Sequence, residues 1–76
     1  MKELLLYIAR SLVQHPDQVT VTEVENGDEL TLELRVAPED MGRVIGRQGR
    51  IAKEIRTLIR SYAQRTGVKA SVDIVD

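Results

Sequence analysis

The chain has 76 residues, no cysteine and two aromatic residues, both tyrosines, and its net charge at neutral pH is −1. This length suits one domain, and the lack of cysteine excludes disulfides and cysteine-bound metal sites, as is typical of proteins of the reducing cytoplasm. The small net charge hides a segregation of charge. Residues 1–42 hold three basic and nine acidic side chains, whereas residues 43–69 hold eight basic and one acidic. The second segment therefore suggests a basic face for an anionic partner.

The first predicted element is an amphipathic helix over residues 3–14. Its apolar side chains recur at helical spacing: Leu5, Ile8, Ala9 and Leu12. Pro16 disfavours helical geometry in the residue before it, so the helix is expected to end near His15. We interpret His15, the only histidine, as structural. The apolar run near the amino terminus is too short for a signal peptide or a membrane span, so no membrane association is expected.

Two strands are predicted next, over residues 18–25 and 30–36. In the second, apolar and polar residues alternate strictly, which buries one face and exposes the other. Asn26-Gly27 lies between the two strands and is a strong hairpin signal, so the strands are expected to be antiparallel neighbours.

A second helix is predicted from Pro38 to about Ile45, because proline suits the first helical turn and the acidic residues after it suit the positive helix end. Gly42 lowers helix stability there, which indicates close packing at that position. A third and longer helix is predicted over about residues 50–65. Its expected buried stripe consists of Ile51, Ile55, Leu58, Ile59 and Tyr62.

A third strand is predicted over residues 69–75, again from alternation. The order helix, strand, strand, helix, helix, strand predicts an α+β fold: a three-stranded mixed sheet with three helices packed on one face. The two-helix connection is expected to place the third strand parallel to the second. No linker, repeat or low-complexity segment divides the sequence, so we expect a single domain over residues 1–76.

The connection between the two predicted helices carries the most informative motif, Gly46-Arg47-Gln48-Gly49. Two glycines around two polar residues let the backbone turn tightly and approach a partner closely. The helix that follows presents unpaired amide groups at its start, and such helix ends favour phosphate. Four basic residues surround the turn: Arg43, Arg47, Arg50 and Lys53. The motif therefore predicts a contact point for phosphate groups, although G-x-x-G alone is a weak signal.

With its flanking residues, Val44-Ile45-Gly46-Arg47-Gln48-Gly49-Arg50-Ile51, and with the predicted element order, the chain resembles a type II K-homology (KH) domain. More narrowly, it resembles the small bacterial single-KH RNA-binding proteins of the KhpA family, over residues 1–76. That resemblance implies the type II KH fold, order α-β-β-α-α-β, and cytoplasmic binding of single-stranded RNA. The KH turn clamps the backbone of about four nucleotides.

The resemblance also implies which residues contact RNA. Gly46 and Gly49 would give the backbone access to phosphates, Arg47 and Gln48 would point at the RNA backbone, and the third strand near Val72 would form the opposite wall of the groove. Ile45 and Ile51 would support or line an apolar floor under the bases. The expected RNA-binding set is Arg43, Ile45, Gly46, Arg47, Gln48, Gly49, Arg50, Ile51 and Lys53.

The partners implied by the resemblance are single-stranded RNA, a second copy of the chain, and a larger KH-containing protein of the KhpB or Jag type. Implied roles are post-transcriptional regulation, RNA chaperone activity and an effect on cell shape. No cofactor is expected. With two tyrosines and no aromatic stacking platform, a single domain is expected to bind weakly and with little sequence preference.

Alternative functions have less support from the residues. An enzyme would need a nucleophile with a base, clustered metal ligands or a P-loop, and the sequence shows none of these patterns. A KH-fold dimerisation module acting mainly through a larger RNA-binding partner stays open. Single-stranded DNA also stays open as a ligand, because discrimination depends on contacts to the 2′-hydroxyl.

Overall fold

The computed structural model describes residues 1–75, and its elements follow the predicted order. The helices and strands are α1 (Lys2–Leu12), β1 (Thr20–Asn26), β2 (Glu29–Arg35), α2 (Met41–Ile45), α3 (Arg50–Arg65) and β3 (Lys69–Ile74). Single 3₁₀ turns occupy Pro16–Gln18, Pro38–Asp40 and Arg47–Gly49. No helix within residues 1–75 is long and apolar enough to cross a bilayer.

Three element boundaries differ from the sequence prediction by two or more residues. Helix α1 stops at Leu12, because Val13 is already extended (φ −104°, ψ 163°). Residue 18, predicted to begin β1, lies in a 3₁₀ turn that opens with Pro16. Pro38 likewise opens a 3₁₀ turn, and the α-helix proper begins at Met41. In both turns the fixed φ of proline suits a helical start without committing the next residues to an α-helix.

The sheet has the order β1-β2-β3, with β2 antiparallel to β1 and parallel to β3, as predicted. The hairpin turn lies one residue later than an Asn-Gly turn would place it. Asn26 still pairs with Glu29, and the two turn residues are Gly27 and Asp28. Gly27 has φ +63° and Asp28 does not have positive φ, so glycine takes the first turn position, which is the arrangement of a type II′ hairpin.

The core lies between the sheet and the three helices. Each strand contributes its alternate side chains, and the helices contribute theirs from above: Leu5, Leu6, Ala9, Val19, Val21, Leu32, Leu34, Val44, Ile55, Ile59 and Val72. The other face of the sheet carries polar residues such as Thr22, Glu33 and Ser71, none of them buried. The prediction that one face of each strand is buried is confirmed.

The buried stripe of α3 was predicted partly wrong. Its buried side chains are Ala52, Ile55, Ile59 and Ala63, whereas Leu58 is 53% exposed and Tyr62 is 43% exposed. The two alanines face the core, where small side chains let the helix approach its neighbours closely. Leu58 and Tyr62 lie on the flank toward α1, beyond the part of α3 that α1 covers.

These two side chains and α1 form an exposed apolar surface, the α1/α3 patch. It consists of Leu4, Tyr7, Ile8, Leu58 and Tyr62, and it surrounds a shallow depression of about 360 Å³ that Ser61 and Arg65 also line. Tyr7, the most exposed member, is 72% accessible. Because exposed apolar side chains of a small domain are concentrated in this patch, the patch suggests an interaction surface.

Candidate nucleic-acid interface

The Gly46–Gly49 turn joins α2 to α3 through three residues with positive φ. Gly46 has φ +76° and ψ 175°, Gln48 has φ +58° and ψ 24°, and Gly49 has φ +75° and ψ 14°. The turn is closed by two backbone hydrogen bonds: the Gly46 amide donates to Gly42 O at 2.9 Å, and the Gly49 amide donates to Gly46 O at 3.2 Å. These two hydrogen bonds therefore fix the backbone conformation of the turn.

The two glycines serve different purposes. A Cβ on Gly46 would lie 2.8 Å from Ile51 Cβ and 2.9 Å from the Ile51 amide nitrogen, which is closer than packing allows. A Cβ on Gly49 would meet nothing within 4 Å. Gly46 is thus required for close packing of the turn against α3, while Gly49 is required only for its positive φ. A Cβ on Gly42 would also meet nothing within 4 Å, so the predicted close packing at Gly42 is wrong.

Helix α3 begins at Arg50 directly after the turn, and within residues 1–75 no side chain caps its first amides. Those amides and the positive end of the helix dipole face the same side as the turn. With 16 residues, α3 is long enough for this dipole to be well developed. The backbone at the start of α3 is therefore suited to an anionic oxygen.

The predicted basic residues are not equivalent. Arg47 and Lys53 are exposed and form no ion pair or side-chain hydrogen bond within the described chain. Arg50 is exposed and donates to Gln48 Oε1 at 3.4 Å. Arg43 points instead to the Asp40 carboxylate, 3.6 Å from Oδ1. Three cations are thus available at the turn, and the charge of Arg43 is partly compensated.

The two predicted isoleucines lie on either side of the turn. Ile45 is 37% exposed at the end of α2. Ile51 is half-buried, packs against the main core and lies under Gly46. Ile51 therefore supports the turn, and Ile45 offers apolar surface beside it. Whether either residue contacts a base stays a prediction.

The outer edge of β3 lies beside α3, where the KH resemblance predicts the opposite wall of the RNA-binding groove. In a parallel pair, the backbone groups of alternate residues point to the partner strand and those between them point away. Val75 donates its amide to Leu34 O at 2.9 Å, so odd-numbered residues of β3 face β2. Val72 therefore presents its amide and carbonyl to the free edge. Its carbonyl accepts a hydrogen bond from Arg56 Nε at 3.3 Å.

Asp40 is a residue whose role the sequence prediction missed. It is fully buried, and its two carboxylate oxygens accept the amides of Gln14 and His15, each at 3.0 Å. It therefore ties the chain after α1 to the start of α2, whereas the sequence suggested only a favourable charge at a helix start. The ring of His15 lies 3.6 Å from the Glu39 carboxylate, and the structural role of this ring stays a prediction.

The environment of Asp40 lowers its pKa. Burial raises the pKa of this carboxyl, but the two amide donors, His15 and Arg43 together outweigh that effect. The carboxylate is thus held in its charged form, and both of its oxygens are used. Asp40 stabilises the segment that carries the turn without being exposed to a ligand.

The described residues contain no group of three or more histidine, cysteine, aspartate or glutamate side chains arranged to hold a metal ion. The acidic residues Glu23, Glu25, Glu29 and Glu33 lie along β1 and β2, and Asp28 lies in the hairpin turn. The site is thus made of a glycine turn, helix amides, cations and a strand edge.

The chain belongs to the family described as KhpA/KhpB, KH domain, whose model matches residues 2–74. It is 55% identical over 75 residues to the RNA-binding protein KhpA of Clostridium acetobutylicum, covering 99% of this chain and all of that protein. It is 47% identical to the RNA-binding protein KhpA of Listeria monocytogenes over the full length of both. These names describe binding proteins and not enzymes, in agreement with the expectation of a non-catalytic protein.

The predicted type II KH fold is confirmed by the family match and by the observed element order. A solved structure of Era, in complex with MgGDPNP and nucleotides 1506–1542 of 16S ribosomal RNA, superposes with a TM-score of 0.65 at 21% identity. That superposition covers 96% of this chain and 28% of the other. Era of Aquifex aeolicus bound to GDP.AlF4⁻ gives the same TM-score and coverage. At this identity the likeness concerns the fold alone.

Proposed function

We propose that this protein binds single-stranded RNA without catalysis, and that the Gly46–Gly49 turn is its phosphate clamp. The observation that carries the proposal is the turn itself: it opens α3 with uncapped amides beside the exposed side chains of Arg47, Arg50 and Lys53. Relatives at 47–55% identity are named RNA-binding proteins, which supports RNA as the ligand. The nine residues predicted from the KH resemblance stay the proposed site, with Arg43 the weakest member because it pairs with Asp40.

The proposed binding mode is weak and tolerant of sequence. Both tyrosines line the depression between α1 and α3, so neither lies at the turn to stack on a base. Each stacked base would otherwise contribute about 1–3 kcal/mol. Affinity therefore depends on phosphate contacts and on the hydrogen-bonding groups along the β3 edge.

We further propose that the protein works as a homodimer through the α1/α3 patch. The patch gathers the exposed apolar side chains Tyr7, Leu58 and Tyr62 on one flank. Two linked RNA sites would raise the affinity of a weak single site through their effective concentration. Heterodimerisation with a larger KH-containing protein of the KhpB or Jag type is the related proposal, and cytoplasmic post-transcriptional regulation is the role that we assign to either assembly.

The α1/α3 patch also favours a second candidate function, a KH-fold dimerisation module that acts mainly through its larger partner. The two candidates differ at the turn. A pure dimerisation module does not use Arg47 or Lys53, and therefore tolerates charge reversal there.

Fluorescence anisotropy of labelled single-stranded RNA tests the proposal with a charge-reversal variant, Arg47→Asp/Gln48→Asp. Gln48 has φ +58°, a conformation that aspartate adopts more readily than most residues, so the turn is expected to form. The matched control is Arg10→Glu/Gln18→Glu, which makes the same change in net charge on exposed residues outside the turn. Circular dichroism checks that both variants fold.

We expect the native protein and the control to bind RNA in a salt-sensitive way and the Arg47→Asp/Gln48→Asp variant to lose most binding. Equal binding by the two variants would exclude the turn as the clamp and favour the dimerisation module. The affinity for a single-stranded DNA of the same sequence, compared with the affinity for the RNA, measures the preference for the 2′-hydroxyl.

A further inference from the structure

The groove beside α3 does not end where the clamp ends. Beyond Arg56 and Val72, a cavity of about 260 Å³ lies between the second half of α3 and the start of β3. Its lining consists of Glu29, Arg60, Gln64, Val68, Lys69, Ala70 and Ser71. None of these residues belongs to the proposed clamp, and the volume approaches the lower end of ligand pockets, about 300 Å³. We call it the distal pocket.

The distal pocket is in line with the clamp. Lys53, Arg56, Arg60 and Gln64 follow one another at intervals of three or four residues, so they share one face of α3. Arg56 of this row reaches the outer edge of β3, which fixes the direction in which the row faces. Eleven residues of helix separate Gly49 from Arg60, an axial distance of about 16 Å.

The strand side of the pocket offers backbone groups as well. Ala70 is an even-numbered residue of β3, like Val72, so its amide and carbonyl point to the free edge and not to β2. A further strand is disfavoured on this edge because the Arg56 guanidinium already covers the Val72 carbonyl at 3.3 Å. The backbone amide and carbonyl of Ala70 are thus open to hydrogen bonds with the edge of a small planar group.

The side chains in the pocket have the chemistry of base recognition. Arg60 is exposed and forms no ion pair within residues 1–75, and the Gln64 amide both donates and accepts. Lys69 Nζ lies 3.5 Å from Asp28 Oδ2, so the positive charge of Lys69 is partly compensated. Glu29 is the one acidic group of the lining, and it can accept from the exocyclic amine of a base.

We propose that the distal pocket binds an additional nucleotide of the same RNA strand, beyond the four that the clamp holds, with Arg60 and Gln64 as its side-chain ligands. This inference rests on the proposed RNA-binding function. It predicts that affinity rises when the RNA is lengthened past the clamp, and that the rise depends on Arg60 and Gln64.

The test compares a tetranucleotide RNA pool with a heptanucleotide pool, each with all four bases at every position. Anisotropy measures both affinities for the native protein, for Arg60→Ala/Gln64→Ala, and for the control Arg10→Ala/Gln18→Ala, which removes the same charge outside the groove. A heptanucleotide offers the four-nucleotide clamp four overlapping registers, which alone raise the affinity up to about fourfold. We therefore expect the native protein and control to bind the heptanucleotide about twentyfold or more tighter, because one or two additional hydrogen bonds provide about fivefold beyond the registers. The Arg60→Ala/Gln64→Ala variant keeps its tetranucleotide affinity and retains only the gain of up to about fourfold from the registers.

Amide chemical shifts of the native protein give a second measurement that needs no variant. The tetranucleotide is expected to shift the amides of Gly46–Gly49, and the heptanucleotide to shift that of Ala70 in addition. An unmoved Ala70 amide, with the same length gain in the Arg60→Ala/Gln64→Ala variant as in the native protein, would overturn the distal pocket and leave the clamp intact. Binding of neither pool, with unmoved turn amides, would overturn the clamp and the distal pocket together.

Discussion

At the scale of single residues, the two glycines of the turn show that one motif can combine two constraints. Gly46 has a positive φ and close contact with Ile51, whereas Gly49 has a positive φ and open space. The sequence indicates that both positions need glycine, but it does not indicate that Gly46 serves internal packing. That difference depends on where the side chain of residue 51 lies.

We expect Gly46→Ala to destabilise the protein more than Gly49→Ala. Both substitutions place a side chain at positive φ, which costs about 1–2 kcal/mol. Only the first also forces atoms into Ile51, which adds about 1–3 kcal/mol. Urea denaturation followed by circular dichroism measures both. Equal losses of stability would show that the turn relaxes away from Ile51.

Asp40 leads to a prediction about pH. Its pKa is lowered in the folded protein, so the stabilisation it provides is complete above the unfolded-state pKa of aspartate, about 3.9. That stabilisation is lost as the pH falls through the lower folded-state pKa. The free energy of unfolding is therefore expected to fall on acidification below about pH 4.

Asp40→Asn separates this contribution from the other carboxyl groups. Asparagine has a single acceptor oxygen, so one of the amides of Gln14 and His15 loses its partner, and we expect lower stability at neutral pH with a weaker acid dependence. Asp17→Asn is the control, since Asp17 is exposed in a 3₁₀ turn. The idea fails if both variants show the same stability and the same pH profile.

At the scale of elements, α3 divides its surface among three functions. Its alanines and isoleucines face the core, its basic row faces the groove, and Leu58 and Tyr62 face the flank shared with α1. The sequence predicted the helix to within a residue and indicated a basic face within residues 43–69. It assigned Leu58 and Tyr62 to the core because an apolar stripe does not reveal how far neighbouring elements cover it.

Leu58→Glu is expected to weaken the proposed dimer, because it places a charge at the centre of an apolar contact. We expect the dissociation constant to rise about tenfold or more, as for a central interface residue. Sedimentation equilibrium measures the effect, with Thr57→Glu as the control at the neighbouring exposed position. A native protein that stays monomeric at high concentration would contradict the dimer.

Element boundaries show the same limit of sequence reasoning. The alternation of Leu30, Leu32 and Leu34 located β2 to within a residue, because burial on one face produces that pattern directly. The 3₁₀ turns at Pro16 and Pro38 were missed, since proline permits several kinds of helical start. Asp40 was missed for another reason: its partners lie 25 and 26 residues away in sequence.

At the scale of the whole molecule, the segregation of charge is the most consequential property. The basic segment, residues 43–69, contains the turn, α3 and the start of β3, while the acidic segment forms most of the remainder. Phosphate neutralisation releases counterions, so RNA affinity is expected to fall with salt. With Arg47, Arg50 and Lys53 each contacting one phosphate, the slope of log K against log salt is about −2.

Lys53→Ala is expected to reduce that slope by about 0.7, the contribution of one phosphate contact on a single strand. Anisotropy titrations at several salt concentrations measure it. Lys2→Ala, on the acidic segment at the start of α1, serves as the control and should leave the slope unchanged. A slope that does not respond to Lys53→Ala would place this lysine outside the RNA contact.

The parallel pairing of β2 with β3 has a consequence for folding. The β1–β2 hairpin joins neighbours in sequence, but Thr31 and Ser71, which pair across β2 and β3, are 40 residues apart. Closing so long a loop costs chain entropy before the contacts that offset it are made, and such closures slow folding. The clamp, α3 and the free strand edge all belong to the segment that this closure positions. We therefore expect the groove to form in the rate-limiting step of folding.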